Sequence, residues 1–490
     1  MIRNGASISN GEKLSTQVCV IGSGPAGITL AWELQQAGIK VILVEGSRGW
    51  TNVEASWPDK VLLYDGQAVG LFEKNEPEFL ILRYKNHQGA ANERERIFGG
   101  TSTHWGGQCR PQDPVDLAPR DGFPGWQMDR KELDPYYARA SKLLVLHGDY
   151  LPDAKNFSAD YWAGVLDAKV PKVEGFDVSM YQFAGPDFKV FSSRKFYGKT
   201  IDQTSVDVIL NATVLDIEHV DGKATRAKVA SMDKALEPKP ATEFTIKADV
   251  FVVACGAVAN ARLLLQAKVK DPHEQIGRYF MCHPLSQGRP LFIDRFLPED
   301  EARLMNGETK TGQWTDKNGV GLTGRFIPNK EMTTDKKIGR CWFWYADGQY
   351  YYEPTPNPDS RITLADTNDK VFCQPQVRIE WKLSDNDQHT YETTTSLFRD
   401  AVKKAYGGTV TARPWEDAKR QLIVNGHHIG TTRISNGIED GVVDRTLKLH
   451  TLDNLYVAGA SVFPSAGISN PTFTIIMLSI RLADELKKRF

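Results

Sequence analysis

The sequence lacks features that mark several classes of protein. Its 490 residues include only six cysteines, no two of which form a C-x-x-C pair. This argues against a structural zinc site and a thioredoxin-like redox motif, and we expect free thiols. The 60 basic residues nearly balance the 61 acidic ones, and neither sign forms a long block. The sequence therefore offers no electrostatic footprint for nucleic acid or for an anionic membrane.

Long hydrophobic runs are also absent. The most apolar segments are as short as a strand, such as Val250–Ala254, so no membrane span is expected. The first 17 residues contain neither the apolar run of an export signal nor a twin-arginine pair, which predicts a cytoplasmic location. With 41% hydrophobic and 25% charged residues, the composition is that of an ordinary globular protein.

What is present begins with a strand, a glycine-rich turn, a helix and a second strand. The segment Gln17–Ile21 predicts a strand, Gly22–Gly27 a turn, Ile28–Ala37 a helix and Val41–Glu45 a second strand. The turn reads Gly-Ser-Gly-Pro-Ala-Gly, and its position between strand and helix indicates a dinucleotide-binding βαβ unit.

Each glycine of this turn has a physical role in such a unit. Gly22 and Gly24 let backbone N–H groups at the helix N-terminus approach a phosphate, and Gly27 lets the helix pack on the sheet. Glu45 is placed to bind the hydroxyls of an adenosine ribose, and its charge would repel a 2′-phosphate. The motif alone leaves FAD and NAD as candidates and disfavours NADP.

Later segments predict a second domain. Aromatic and alternating runs at Trp342–Tyr345, Tyr350–Tyr352 and Val377–Trp381 indicate antiparallel strands whose rings are mostly buried. The first domain resumes between and after these runs, with predicted strands at Val206–Ile217, Val250–Ala257 and Leu455–Ala458 and predicted helices at Asn260–Gln266 and Thr474–Lys488. The predicted bounds are 1–150, 200–290 and 426–490 for the first domain, and 151–199 and 291–425 for the second.

Three segments together resemble the glucose-methanol-choline (GMC) oxidoreductases: Gly22–Glu45, Phe98–Gly107 and His427–Thr474. The middle segment, Phe-Gly-Gly-Thr-Ser-Thr-His-Trp-Gly-Gly, is similar to the pyranose 2-oxidase branch. Further matches are Trp126, Leu133–Tyr137, Gly277–Tyr279, His283–Pro284, Pro356–Pro358 and Ser360–Arg361. The resemblance implies an α/β fold (α+β overall), in which a Rossmann-type FAD-binding domain joins a substrate domain built on an antiparallel sheet packed by helices.

The resemblance implies a base and a partner in the tail. Oxidising an alcohol requires removal of the hydroxyl proton, and a neutral imidazole suits that task near pH 7. A histidine three residues before Gly-Thr matches the catalytic base of the family, which selects His427 over His428. Asn470 matches the family's hydrogen-bonding partner on the reacting oxygen. His428 is left between a substrate contact and loop support, whereas His283 and His450 are predicted to cap or pack at loop ends.

The resemblance also implies the residues that hold FAD. Besides the first glycine turn and Glu45, the predicted contacts are Gly99, Gly100, Thr103, His104, Trp105, Val214, Gly459, Ala460, Pro471 and Thr472. The backbone at Pro471 and Thr472 would stabilise negative charge on the reduced flavin. The sequence leaves open whether the His104 ring forms a covalent bond with the flavin. No metal is predicted.

The substrate implied is a sugar or glycoside, oxidised at the C2 or C3 hydroxyl of a pyranose by hydride transfer to flavin N5. The electrons would pass to O₂ or to another acceptor. Three alternatives stay open: a GMC enzyme of a non-sugar alcohol, an NAD-dependent dehydrogenase, and a non-catalytic flavin-binding or electron-transfer protein. The last two would not need the tail motif with His427 and Asn470.

Overall fold

The fold is that of a computed structural model, which describes much of the chain. The described residues are 2–47, 98–103, 105–147, 150, 152–184, 206–233, 239–286, 291–293, 296–306, 314–315, 321–345, 348–369, 371–419, 422–424 and 426–490. His104 and Asn425 therefore lie outside the described residues.

The secondary structure alternates between strands and helices. The strands are β1 Ile2–Asn4, β2 Lys13–Ile21, β3 Val41–Val44, β4 Gln108–Cys109, β5 Phe176–Phe183, β6 Asp207–Leu210, β7 Thr213–Val220, β8 Lys223–Met232, β9 Pro240–Val253, β10 Pro284–Ser286, β11 Leu291–Ile293, β12 Trp314–Thr315, β13 Gly321–Pro328, β14 Cys341–Trp344, β15 Gln349–Tyr352, β16 Arg361–Asn368, β17 Pro375–Glu380, β18 Val410–Ala412, β19 Leu422–Val424 and β20 Leu455–Val457. The helices are α1 Pro25–Gln36, α2 Pro114–Leu117, α3 Arg130–Leu143, α4 Ala159–Leu166, α5 Ala257–Gln266, α6 Glu299–Asn306, α7 Lys330–Asp335, α8 Asp385–Tyr406, α9 Trp415–Lys419 and α10 Pro471–Lys487.

The first sheet has eight strands in the order β1-β6-β3-β2-β9-β8-β7, with β20 also paired to β9. Six of them run parallel, and β7 and β8 form an antiparallel extension. All four residues of β3 are buried, as expected for a parallel strand covered on both faces. The predicted strands at Val41–Glu45 and Leu455–Ala458 are thereby confirmed to within one residue.

Three helices cover one region of this sheet: α1 packs against α10, and α10 packs against α3. Ion pairs of Arg139 with Glu33 and Asp484 join the three helices at their polar edges. All three predicted helices are confirmed, but each begins three residues earlier than expected, at Pro25, Ala257 and Pro471. Proline occupies the first helical position readily because no intrahelical partner awaits its missing N–H there.

The second sheet is antiparallel, in the order β19-β10-β15-β14-β13-β5-β4, with β12 paired to β13. The predicted strands at Trp342–Tyr345 and Tyr350–Tyr352 form its centre, and Phe343 stacks on Phe398 of α8 at 4.1 Å between ring centroids. The strand predicted at Val377–Trp381 is real, but it pairs with β16 in a separate two-stranded hairpin. This mixed architecture matches the predicted fold class.

Three further predictions concern the cysteines, membrane spans and the domain bounds. All six cysteines are free. Within the described residues, no helix is long and apolar enough to cross a bilayer. The predicted bounds of the two domains stay a prediction; the second sheet takes in β4 and β10, which lie within ranges assigned to the first domain.

Candidate active site

The glycine turn after β2 fits a bound phosphate. A Cβ on Gly27 would lie 1.9 Å from the Gly22 carbonyl oxygen, so only glycine allows α1 to approach the turn this closely. A Cβ on Gly24, by contrast, would meet no atom of the described residues within 4 Å, so the space beside it is open in this part of the structure. Gly24 is the N-cap of α1 and provides no side-chain cap. The N-terminus of α1, whose first N–H groups have no partner within the helix, therefore lies beside an open space, an arrangement typical of a pyrophosphate site.

Glu45 lies directly after β3 and is buried. Its carboxylate accepts hydrogen bonds from the backbone N–H of Ser23 at 3.2 Å, the Ser23 hydroxyl at 2.5 Å and the backbone N–H of Ser47 at 2.8 Å. The acid is thus held against the glycine turn, at the end of the strand where a ribose is bound in such folds. Its contact with ribose stays a prediction.

The loop at Gly99 and Gly100 reaches the same turn. The backbone N–H of Gly99 donates to the Ser23 carbonyl at 3.0 Å, and a Cβ on Gly100 would lie 3.3 Å from Gly24 Cα. The loop continues as a short 3₁₀ helix that ends at Thr103, with Trp105 beyond it. Of the residues predicted in this segment, His104 lies outside the described part of the chain.

The other predicted cofactor residues lie near α1 and near Glu45. Gly459 lies two residues after the end of β20, and a Cβ there would lie 4.0 Å from the side chain of Ala26 in α1. Ala460 begins a short 3₁₀ helix beside it. Val214 lies at the start of β7, two residues after Ala212, whose N–H donates to the Glu45 carbonyl.

His427 is brought to the site by a short antiparallel bridge. Met281 and Ile429 exchange two backbone hydrogen bonds, of 3.0 and 2.9 Å. In an antiparallel pair, residues two positions further along each strand again lie opposite each other, which pairs His283 with His427. Gly430 allows this approach, because a Cβ on it would lie 2.2 Å from the Tyr279 carbonyl oxygen.

His283 was expected to cap or pack at a loop end, and the structure places it inside the site instead. Its Nδ1 lies 3.1 Å from Nδ1 of His427, and the two rings are perpendicular. Its Nε2 lies 2.9 Å from the carbonyl oxygen of Gly467. The sequence contained one signal of this position, the His-Pro motif at 283–284, but nothing in it paired residue 283 with residue 427.

Residues 465–470 form a segment, the strap, that is held from many directions. Its anchors are Trp126 Nε1 to the Ser465 hydroxyl (2.9 Å), Gln112 Nε2 to the Ala466 carbonyl (3.1 Å), the Gly467 N–H to Glu353 (2.7 Å), the Tyr181 hydroxyl to the Ile468 carbonyl (3.1 Å) and the Ser469 hydroxyl to the Pro111 carbonyl (2.8 Å). Every strap residue before Asn470 is therefore fixed by at least one distant group.

Asn470 ends the strap as the N-cap of α10. An asparagine at this position usually caps the helix with its side chain, but here it makes no such bond. Its Nδ2 instead lies 3.4 Å from Nε2 of His427. Pro471 and Thr472 follow in the first turn of α10. The structure thus brings the two predicted catalytic side chains together beside a helix N-terminus, which favours negative charge.

The electrostatics of the site keep His427 uncharged. Burial lowers the pKa of His427 well below its ordinary value, and His283, His428 and Arg325 lower it further. Burial also lowers the pKa of His283, partly offset by its bond to the Gly467 carbonyl and by the Glu353 carboxylate. Both imidazoles are therefore neutral near pH 7, the state in which one of them can accept a proton.

Two neighbours complete the surroundings of His427. The ring of His428 packs on Phe280, with 5.4 Å between centroids. Arg325 is fully buried on β13, with its guanidinium carbon 3.7 Å from the centroid of Trp342 and 3.9 Å from that of Tyr181. Within the described residues, no cluster of His, Cys, Asp and Glu side chains could hold a metal ion.

Comparison with known proteins agrees with this geometry. Residues 15–54 match the FAD-binding domain and residues 356–479 match the GMC oxidoreductase family. The pyranose 2-oxidase of Tricholoma matsutake is 40% identical over 79% of this chain and 72% of its own length. The C-glycoside 3-oxidase of Microbacterium trichothecenolyticum is 24% identical over 79% of this chain and 75% of its own. The crystal structure of a formate oxidase, 15% identical, covers 98% of this chain and 99% of its own with a TM-score of 0.59.

The fold and the site define an FAD-dependent oxidoreductase. The chain belongs to the GMC oxidoreductase family. The residues around Gly24 suit FAD, since the open helix N-terminus and the buried Glu45 face the same turn. The family assignment predicted from the sequence is confirmed, and the NAD-dependent alternative is set aside.

Proposed function

We propose that this enzyme oxidises a ring secondary hydroxyl of a pyranose sugar or glycoside to a ketone, with His427 as the base. The observation that carries the proposal is the pairing of His427 Nε2 with the Asn470 amide, 3.4 Å apart, at the N-terminus of α10. A reaction that removes a proton and holds the resulting oxygen needs such a pair. A passive flavin carrier does not.

The proposed roles follow from the donors and acceptors present. His427 is neutral because burial lowers its pKa, so its Nε2 can take the hydroxyl proton of the substrate. The Asn470 amide donates a hydrogen bond to the oxygen as negative charge develops on it. When bound, the flavin supplies the acceptor for the hydride that leaves the carbon carrying this oxygen. The uncapped N-terminus of α10, at Pro471 and Thr472, favours negative charge nearby.

The substrate class rests on relatives and not on a contact. Pyranose 2-oxidase and C-glycoside 3-oxidase, by their names, act on C2 of a pyranose and C3 of a glycoside. A panel of free pyranoses and glycosides, added anaerobically, identifies the substrate as the compound that bleaches the flavin. NMR of the product distinguishes C2 from C3, and repeating the reaction in air or with a quinone distinguishes O₂ from another acceptor.

The role of His427 is tested by His427→Ala. Loss of a general base costs about 10²–10⁴ in rate, so anaerobic flavin reduction should slow by that factor while FAD content and melting temperature change little. His450→Ala is the matched control, because His450 bonds to Ser435 and is not part of the site. Reduction of the His427→Ala flavin at the unaltered rate would assign the base to another group, with His428 next in line.

The proposal includes a histidyl bond from His104 to the flavin, which the resemblance to pyranose 2-oxidases implies. After acid precipitation the pellet should stay yellow, and a flavin-bearing peptide with His104 should appear by mass spectrometry. A colourless pellet would remove the bond and leave FAD binding by the loop at Gly99 and Gly100 intact, since those glycines contact the turn independently.

A further inference from the structure

A chain of hydrogen bonds continues outward from His427 on the side away from Asn470. His427 Nδ1 lies 3.1 Å from His283 Nδ1, and His283 Nε2 lies 2.9 Å from the Gly467 carbonyl oxygen. The N–H of the same glycine donates to Glu353 Oε1 at 2.7 Å. Glu353 is buried and is held by Arg120 at 2.8 Å and by the Arg340 N–H at 3.2 Å.

The position of each proton in this chain follows by elimination. A carbonyl oxygen can only accept, so the Nε2 of His283 that faces Gly467 must carry a hydrogen. A neutral imidazole carries only one ring hydrogen, so Nδ1 of His283 must be an acceptor. His427 must then donate from its own Nδ1, which leaves its Nε2 without a hydrogen. The assignment does not depend on the orientation of the Asn470 amide, whose O and N are hard to distinguish.

We propose that His283 and Glu353 are positioning residues that hold His427 in the tautomer protonated at Nδ1, so that Nε2 is the basic atom. The inference rests on the proposed function, since it names the atom through which His427 works. Glu353 acts at one remove, by fixing the peptide at Gly467 whose carbonyl orients His283.

A neutral histidine in this position has a chemical consequence. In the serine hydrolases, a carboxylate orients the base and stabilises its cation. Here the orienting group is uncharged, so it fixes the ring without adding a negative charge that would favour protonation at rest. When His427 takes the substrate proton, its Nδ1–H keeps the same acceptor, and the bond becomes charge-assisted and stronger. The arrangement therefore orients the base in both protonation states.

The test compares two substitutions of His283 in the FAD-bound enzyme. His283→Gln retains one acceptor for His427 and one donor for Gly467, whereas His283→Leu retains neither. Loss of a partner that orients a metal-bound histidine typically costs about 10–100-fold, and by analogy we expect His283→Leu to slow anaerobic flavin reduction by about that factor. His283→Gln should recover most of the rate. FAD content should be the same in both variants.

A second readout does not depend on activity. In enzyme labelled with ¹⁵N-histidine, the ring nitrogens of His427 should report a hydrogen on Nδ1 and none on Nε2, and His283→Leu should lose this preference. Glu353→Gln removes the negative charge from the acceptor of the Gly467 N–H, and it should weaken the preference for a hydrogen on Nδ1 in part. If His283→Leu fails to fold, the ¹⁵N signals of the unaltered enzyme and of His283→Gln still decide the tautomer.

The outcomes separate this inference from the proposed function. A hydrogen on Nε2 of His427 in the resting enzyme, or an unaltered rate and tautomer in His283→Leu, would overturn the inference even if His427→Ala is inactive. A fully active His427→Ala would instead overturn the proposed base, while the ¹⁵N signals would still show whether His283 sets the tautomer.

Discussion

The glycine turn and the strap are both short, but they are held by different means. The turn is set by the local backbone: Gly22 donates to the Val44 carbonyl at 2.8 Å, Ile28 donates to the Gly24 carbonyl at 3.0 Å, and Gly27 leaves no room for a side chain. The strap is set by distant side chains, such as that of Gln112, which is 354 positions from Ala466.

This difference predicts different responses to mutation. A turn that depends on steric exclusion fails when one atom is added, since neighbouring backbone cannot move aside cheaply. A strap with several anchors, each worth about 1 kcal/mol net, loses only part of its support when one is removed. A single substitution should therefore disrupt the turn, whereas removal of one anchor should weaken the strap only in part.

The largest effect is expected at Gly27. Gly27→Val would place its Cβ at the position 1.9 Å from the Gly22 carbonyl, so we expect no folded, yellow protein. Gly24→Ala is the matched control: its Cβ meets no atom of the described residues, and the φ of −66° suits alanine. That variant should keep its melting temperature in the FAD-free form and bind FAD more weakly. Equal FAD binding by Gly24→Ala would place the pyrophosphate elsewhere.

A smaller effect is expected at the end of the strap. Asn470→Ala removes one donor to the reacting oxygen and should slow anaerobic flavin reduction by about 10–10³-fold. Because Asn470 and His427 would act on one oxygen, the double variant should be little worse than His427→Ala alone. Stopped-flow reduction of the four proteins measures this. Fully multiplicative effects would show that the two side chains act separately, despite the 3.4 Å between them.

The smallest effect is a displacement along the pH axis. An unperturbed histidine titrates near 6.5, whereas burial lowers the pKa of His427 well below this value. The rate of flavin reduction should therefore hold its plateau as pH falls through about 6.5 and decline only in more acid solution. Below about pH 6.5 the histidine binds a proton in the unfolded chain but not in the folded one, so the free energy of unfolding should also fall there. An acid limb centred above about 6.5 would contradict the neutral, buried base.

The same contrast explains what could be predicted. The glycine turn, Glu45 and the first two strands were predicted because their geometry depends on neighbours in the sequence. His427 and Asn470 were predicted by resemblance, and the structure places them together. The contact between His283 and His427 was not predicted, since it depends on the bridge between Met281 and Ile429, which no local pattern indicates. The position of Glu353 was not predicted either, because a buried acid directly after a strand carries no motif.

The strand β9 has a consequence for the synthesis of the protein. Of its 14 residues, Thr245–Val253 pair with β2 along one edge, while the other edge pairs first with β8 and then, at Phe251–Val253, with β20. On the ribosome, β9 emerges long before Leu455. At about 5–20 residues per second, these three apolar residues would wait roughly 10–40 s for their partner. During that time an exposed strand edge invites aggregation, so the nascent chain is a natural client for chaperones.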